Sequence, residues 1–396
     1  MSWPMVKLGD VAPSKPIKKP DVPNVESVWQ LNLDMVESHS GKVIRKLFAP
    51  LSDAGSSTHW FNEQYVLYSK LRPYLNKVVL PNSQGLATTE LVPMLPDPKR
   101  LDRSYLAHYL RSNRFVSWIS EQVAGAKMPR VSMKVFWEHE IPLPPLEEQK
   151  RIAAILDKAD AIRQKRKQAI ELADEFLRSV FLDMFGDPVS NPKGWEVKTT
   201  GQCIVDGLIL EVQDGNHGND HPKVSDFVET GIPFVAANVI RKGRVIFDKC
   251  YYLDSDWLNK LRIGFAKPRD VVLTHKGTLG LCAVLDDTFD DYIFSPQTTY
   301  YRLNECKLVP EYLEGYFSSK AFQRLLQKEG KQSTRAYIGI TRQKELPIIV
   351  PPVEKQREFL RVKKAFKTMD SKESKSQKDL DSFFCSLSQK AFSGQL

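Results

Sequence analysis

Cysteine is scarce in this chain: five residues in 396, at 203, 250, 282, 306 and 385. No two form a C-x-x-C pair, and their number is odd. A disulfide frame and a cysteine zinc site are thereby excluded, and the thiols read as reduced, mostly buried groups of a cytoplasmic protein. No apolar run approaches the roughly 18 residues needed to span a bilayer. The lysines and prolines of Met1–Pro20 surround no apolar stretch of the kind a secretory leader carries. Phosphate-loop and H-E-x-x-H signatures are missing, since His139-Glu140 runs into Ile141-Pro142. Asn-Pro-Pro-Tyr and Asp-Pro-Pro-Tyr strings of methyltransferases are missing too, and the nearest, Ser190-Asn191-Pro192-Lys193, falls in a linker. His217 and His221 are the one close histidine pair, and no metal is expected there. Asp286-Asp287 and Asp290-Asp291 read as turns. No catalytic residue is assigned and no cofactor is expected on this chain.

What is present is enough apolar material for real cores, at 42% hydrophobic residues, with a moderate basic excess of +9. That excess is compatible with a polyanionic partner without requiring one. An internal repeat decides the organisation. Pro144-Pro145-Leu146-Glu147-Glu148-Gln149-Lys150 recurs as Pro351-Pro352-Val353-Glu354-Lys355-Gln356-Arg357, an offset of 207 residues. The offset holds without a gap to Phe185 and Phe392, and upstream it maps Tyr105, Tyr109 and Phe115 onto Tyr312, Tyr316 and Phe322. Farther upstream the halves diverge.

Each Pro-Pro pair introduces a segment with apolar residues at alternating spacings of three and four. One seam runs Ile152, Ile155, Ala159, Ile162, Arg166, Ala173, Phe176, Val180. The other runs Phe359, Val362, Phe366, Met369, Glu373, Leu380, Phe383, Leu387. Glutamates in the first turn and Gly186-Asp187-Pro188 at the end suit one long helix each, about 60 Å at 1.5 Å per residue. Sustained heptads predict a coiled coil between them. The lone Arg166 of one seam matches the lone Glu373 of the other, a pair that fixes register more than it adds stability. That match holds for antiparallel helices and for parallel ones alike.

The predicted divisions are therefore 1–143, a first variable domain; 144–187, a long helix; 188–350, a second variable domain; and 351–396, a second long helix. Short β-type runs such as Gln64–Tyr68, Lys77–Leu80, Asp270–Thr274 and Thr298–Tyr301, followed by a helix over Tyr105–Ser120 or Glu311–Lys328, make each variable domain α+β. Their loops carry groups that reach base edges and phosphates. The first domain offers Thr58 and His59, then Lys70, Arg72 and Tyr74, then Lys127 and Arg130. The second offers Asn216 and His217, Lys242 and Arg244, His275, Lys276 and Thr278, and Gln332 and Arg335.

Together with Asp183-Met184-Phe185-Gly186-Asp187-Pro188, Gly194-Trp195, Asp214-Gly215-Asn216-His217 and Thr274–Gly280, the duplicated Pro-Pro segment resembles the specificity subunits of type I restriction-modification systems, over essentially the whole chain. The resemblance implies an antiparallel helix pair and two target-recognition domains under pseudo-two-fold symmetry, each reading one half of a bipartite, asymmetric site on double-stranded DNA. It implies two docked modification subunits that bring S-adenosylmethionine and methylate adenine by base flipping, and, where restriction subunits join, ATP and Mg there. The second Pro-Pro copy departs from the usual pattern at Glu358-Phe359-Leu360. A coiled-coil scaffold that binds protein only, and a nuclease built on the acidic turns, are the competing readings.

Overall fold

The computed structural model describes residues 3–18, 23, 25–124, 128–216, 221–241, 243–330 and 336–396, with the backbone alone at 124 and 367–378. Helix and sheet are mixed throughout. Two compact units emerge: one joins 1–168 to 373–396, and the other is 169–372. The long helices, Leu146–Phe185 and Val353–Ser393, each begin in one unit and end in the other.

In the first unit a four-stranded sheet runs Leu47–Pro50, Ser27–Leu31, Gly85–Thr88, Thr58–Phe61. Only the Ser27–Leu31/Gly85–Thr88 pair is parallel. A second, antiparallel sheet runs Val78–Val79, Val66–Ser69, Leu91–Met94. In the second unit the sheet Tyr251–Leu253, Ile232–Val235, Tyr292–Phe294, Phe265–Ala266 has the same order and the same single parallel pair. Its companion runs Cys282–Val284, Val271–Thr274, Thr298–Leu303 and gains Ile209–Asp214. The diverged halves therefore share one topology. Each closes with its first strand paired to its last, Met5–Lys7 with Glu140–Pro142 and Glu196–Thr199 with Pro347–Val350.

The single helix expected over Tyr105–Ser120 is two, Arg103–Arg111 and Asn113–Glu121, and its counterpart is Pro310–Ser318 and Lys320–Gly330. The break comes at Ser112 and Ser319. Both are extended, and each hydroxyl accepts from the amide three residues on, at 3.3 Å in each case.

The Pro-Pro-x-x-x-Gln motif acquires a structural meaning. Gln149 is fully buried; it accepts from the Asp102 amide (2.8 Å) and donates to the carbonyls of Pro144 (2.8 Å) and Arg100 (2.9 Å). Gln356, equally buried, repeats this with the Val309 amide (2.8 Å) and the carbonyls of Pro351 (2.8 Å) and Lys307 (3.4 Å). Each glutamine ties the first turn of a long helix to the start of the helix Arg103–Arg111 or Pro310–Ser318, satisfying backbone groups that both leave unpaired. Tyr105 and Tyr312 complete the joint by donating to Pro142 and Ile349 carbonyls.

Within each unit the start of one long helix packs beside the end of the other. In the first, Ile152, Ala153 and Leu156 share a core with Ala391 and Phe392, and the Arg163 guanidinium lies 4.5 Å from the Phe384 ring centre. In the second, Phe359 meets Phe181 and Phe185 edge-on, and Phe176 stacks on Phe366 at 5.0 Å. Two expected seam residues do not fit this packing. Ile162 is 57% and Phe383 58% exposed, because the neighbouring Arg163 and Phe384 turn into the contact instead. The side chains of Met369 and Glu373, and so the expected Arg166–Glu373 pair, lie outside the described residues. Cys306 and Cys385 are exposed rather than buried. No described helix is long and apolar enough to cross a membrane.

Candidate nucleic-acid interface

In each unit the loop after one inner strand, Val66–Ser69 or Val271–Thr274, is stitched to the segment before the last short helix. In the first unit the Arg72 amide donates to Pro129 (2.8 Å) and the Val131 amide to Lys70 (2.9 Å). In the second, Gly277 donates to Ala336 (3.0 Å) and Ile338 to His275 (3.0 Å). A third bond anchors each loop, from Lys70 to Glu90 and from His275 to Gln297, both 3.0 Å. The two stitched edges are thus the same construction with different side chains.

The first edge gathers most of its expected residues. Thr58 and His59 open the strand Thr58–Phe61, beside Lys70; burial and the Lys70 charge hold the His59 imidazole below its ordinary range. Tyr74 is exposed on the turn Pro73–Leu75. Arg72 is exposed and has left-handed backbone (φ 50°), which costs an L-residue about 1–2 kcal/mol. Its counterpart Gly277 (φ 76°) pays no such penalty and leaves open space where a Cβ would stand, so backbone could approach a phosphate there. Arg130 is tied by a two-pronged pair to Glu90, with Nη2 to Oε1 at 3.0 Å. Glu90 was not anticipated from the sequence: nothing local marks a glutamate that a loop brings to a basic edge. Glu90 braces Arg130, and a carboxylate is a group that can accept from cytosine N4.

The second edge is more selective. Lys276 and Thr278 are exposed on it, with Tyr337, which the 207-residue offset places opposite Arg130. His275, expected at the interface, is fully buried instead. The Thr299 hydroxyl donates to Asp214 (2.5 Å) and, its one proton spent, accepts from His275 Nδ1 (2.8 Å) and Gln343 Nε2 (3.0 Å). Tyr301 in turn donates to Gln343 Oε1 (2.7 Å). This buried network props both motif loops from behind, so His275 and Asp214 are supports and not contacts. Asn216 is likewise buried, and Gly215 serves packing: a Cβ there would stand 2.1 Å from the Ser295 carbonyl. Arg244 sits half-buried on a hairpin over the strand Cys282–Val284. Lys127, His217, Lys242, Gln332 and Arg335 lie outside the described residues.

Comparison with known proteins finds similarity in sequence and in fold. Residues 64–172 match the family model for the type I restriction modification DNA specificity domain. The type I restriction enzyme MjaVIII specificity subunit of Methanocaldococcus jannaschii is 25% identical over 281 residues, 69% of this chain and 65% of that one. The EcoDI specificity subunit of Escherichia coli is 26% identical over 190 residues, 46% of this chain and 41% of that one. The match thus spans less than two thirds of either relative's length. A type I restriction-modification S subunit from M. genitalium shares the fold, with a TM-score of 0.57 at 14% identity over 98% of this chain and 96% of that one. A chain from a type I R-M system solved for its complex assembly does so at 0.54 and 18%, over 100% of this chain and 98% of that one. In sequence over part of its length, and in fold, the chain is thus similar to type I restriction-modification specificity subunits.

Proposed function

We propose that this chain reads a bipartite, asymmetric site on double-stranded DNA, one half through each stitched loop edge, and that it performs no chemistry itself. The long helices act as an antiparallel coiled-coil strut, with the two recognition domains in pseudo-two-fold relation, and the strut's length sets the unread spacer. They also dock two modification subunits, which supply S-adenosylmethionine and the methyl transfer; restriction subunits, where present, bring ATP and Mg.

The observation that carries this reading is the recurrence of one backbone construction with unlike side chains: Lys70, Arg72, Arg130 and Glu90 on one edge, Lys276, Thr278 and Tyr337 on the other. A common frame with interchangeable tips suits two half-sites of different sequence. Exposed guanidinium and ammonium groups supply phosphate and guanine contacts, and hydroxyls position the backbone. A scaffold that binds protein alone has no use for unlike tips on equal frames.

The test is to map methylated adenines with the chain paired to its modification subunits, then exchange residues 1–143 for those of another family member. One half of the methylated site changes and the other stays. Changes in both halves would show that the domains do not read independently. Affinity for duplex DNA that does not fall steeply with salt would favour the scaffold. Sequence-specific cutting by the pure chain with magnesium would favour the nuclease.

A further inference from the structure

The first unit contains a cavity of about 670 Å³, in the range of small-molecule sites, for which DNA reading has no role. Its walls come from the helix pair Arg103–Glu121, the start of one long helix and the end of the other. Three guanidiniums line it, Arg111, Arg114 and Arg163, with His39 and His108; Arg163 is paired with the lining Asp160 at 2.6 Å, and His108 with Asp157 at 2.7 Å.

The internal repeat provides a control for whether this space is a packing defect. At the 207-residue offset Ser388 corresponds to Phe181, and His108 to Gly315. In the second unit Phe181 is buried, stacks on Tyr312 (5.8 Å), and lies so close to Gly315 that a Cβ there would sit 2.8 Å from its ring. That half is plugged by an aromatic ring. In the first half the plug is a serine and the wall a histidine, so the space stays open.

The lining also holds unmet hydrogen-bonding capacity. Asn76 gives its amide nitrogen to the Arg111 carbonyl (3.0 Å), while its buried Oδ1 has no partner there. Arg111 spends Nε and Nη2 on the Val78 carbonyl, leaving Nη1 without a described partner. A buried amide oxygen such as Asn76 Oδ1 is normally satisfied. A ligand that carries an oxyanion for the guanidiniums and a donor for Asn76 Oδ1 fits this lining, and the volume holds one several times larger than a lone phosphate.

We propose that this cavity binds a nucleoside phosphate, its phosphate groups facing Arg111, Arg114 and Arg163 and a hydroxyl or amine donating to Asn76. The cavity shares no lining residue with those named on the recognition edge, although Asn76 closes the turn Pro73–Leu75 that carries Tyr74.

The test is titration calorimetry of the full chain with ADP, with inorganic phosphate and adenosine as the two partial probes. ADP binds, and each partial probe binds more weakly. Ser388→Phe, which installs the plug of the other half, abolishes ADP binding while the melting temperature is kept. Arg114→Gln, an exposed change, weakens ADP about tenfold or more, the worth of one charge-assisted contact. No heat with ADP at millimolar concentration, or binding unchanged in Ser388→Phe, overturns the proposal. A response to a single-stranded oligonucleotide with none to ADP also overturns it, by assigning the cavity to the nucleic acid.

Discussion

Replacing Gln149 with leucine keeps side-chain bulk and removes polarity from a fully buried position. Three hydrogen bonds of 2.8–2.9 Å are lost together, stranding the Asp102 amide and the carbonyls of Pro144 and Arg100. A buried group left unsatisfied costs about 1–3 kcal/mol, and partial relaxation keeps three such losses from adding fully, so about 3–5 kcal/mol is expected. Against a typical domain stability of roughly 5–15 kcal/mol this is a large share. Gln356→Leu should cost less, because one of its three bonds is already 3.4 Å. Urea denaturation gives both values, and amide exchange at Asp102 reports the local opening. Gln149→Glu sharpens the case. A carboxylate there would face two carbonyl oxygens without a donor, so it is retained as the acid and its folded-state pKa rises above about 4.3. Its stability is therefore greatest at low pH and is lost as pH rises through the raised value. A Gln149→Leu midpoint within about 0.5 kcal/mol of wild type would refute the latch, since a buried amide that serves three backbone groups cannot be dispensable.

Arg72→Gly should leave stability within about 0.5 kcal/mol, because relief of left-handed strain offsets the entropy glycine adds to the unfolded chain, while duplex-DNA affinity falls by about 1–3 kcal/mol in a filter or anisotropy assay. Gly277→Ala, into open space at φ 76°, should cost about 1 kcal/mol of stability in the same denaturation experiment. Burial, with the nearby Arg114 charge, pushes the His139 imidazole down to about 4, so the folded state resists its protonation. Its contribution is intact above about 6.5, drains as pH falls from there towards 4, and levels off below; for a half-buried group that is about 1–3 kcal/mol, which His139→Gln should remove from a pair of melts at pH 7 and 4.5.

The architecture was largely legible because repetition is a strong signal: a gapless offset over the long helices leaves little freedom in where they start, and Gly186 ends the first as expected (φ 78°). Pairing register was less so. An apolar 3-4 pattern marks a stripe, but whether Arg163 or Ile162 faces the partner depends on the ring of Phe384, a tertiary contact with no local trace. The polar motifs misled for a related reason. Thr274-His275-Lys276 alternates like any strand end, so one of its neighbours had to point inward, and the buried acceptor awaiting His275 comes from Thr299, 24 residues away. The Pro-Pro-x-x-x-Gln segment signals a helix start in both copies; the role of its glutamine as the core of the joint depends on backbone groups some 47 residues away, which leave no local trace.

The left-handed residue at the same point of both stitched loops bears on how such a fold diversifies. One half meets the requirement with glycine and the other with arginine at an energetic cost, so the side chain does not choose the backbone there. The loop is bent by its three backbone hydrogen bonds to neighbouring segments, at 2.8–3.0 Å in each half. Backbone-to-backbone bonds are indifferent to side-chain identity. Tips can therefore be exchanged without moving the frame, provided the buried supports behind it, Thr299 and Gln343 in one half, stay satisfied. Under the proposed function, new sequence specificity should arise by change at exposed positions such as 72, 130, 276 and 278, while changes at the supports cost folding before they alter what is read.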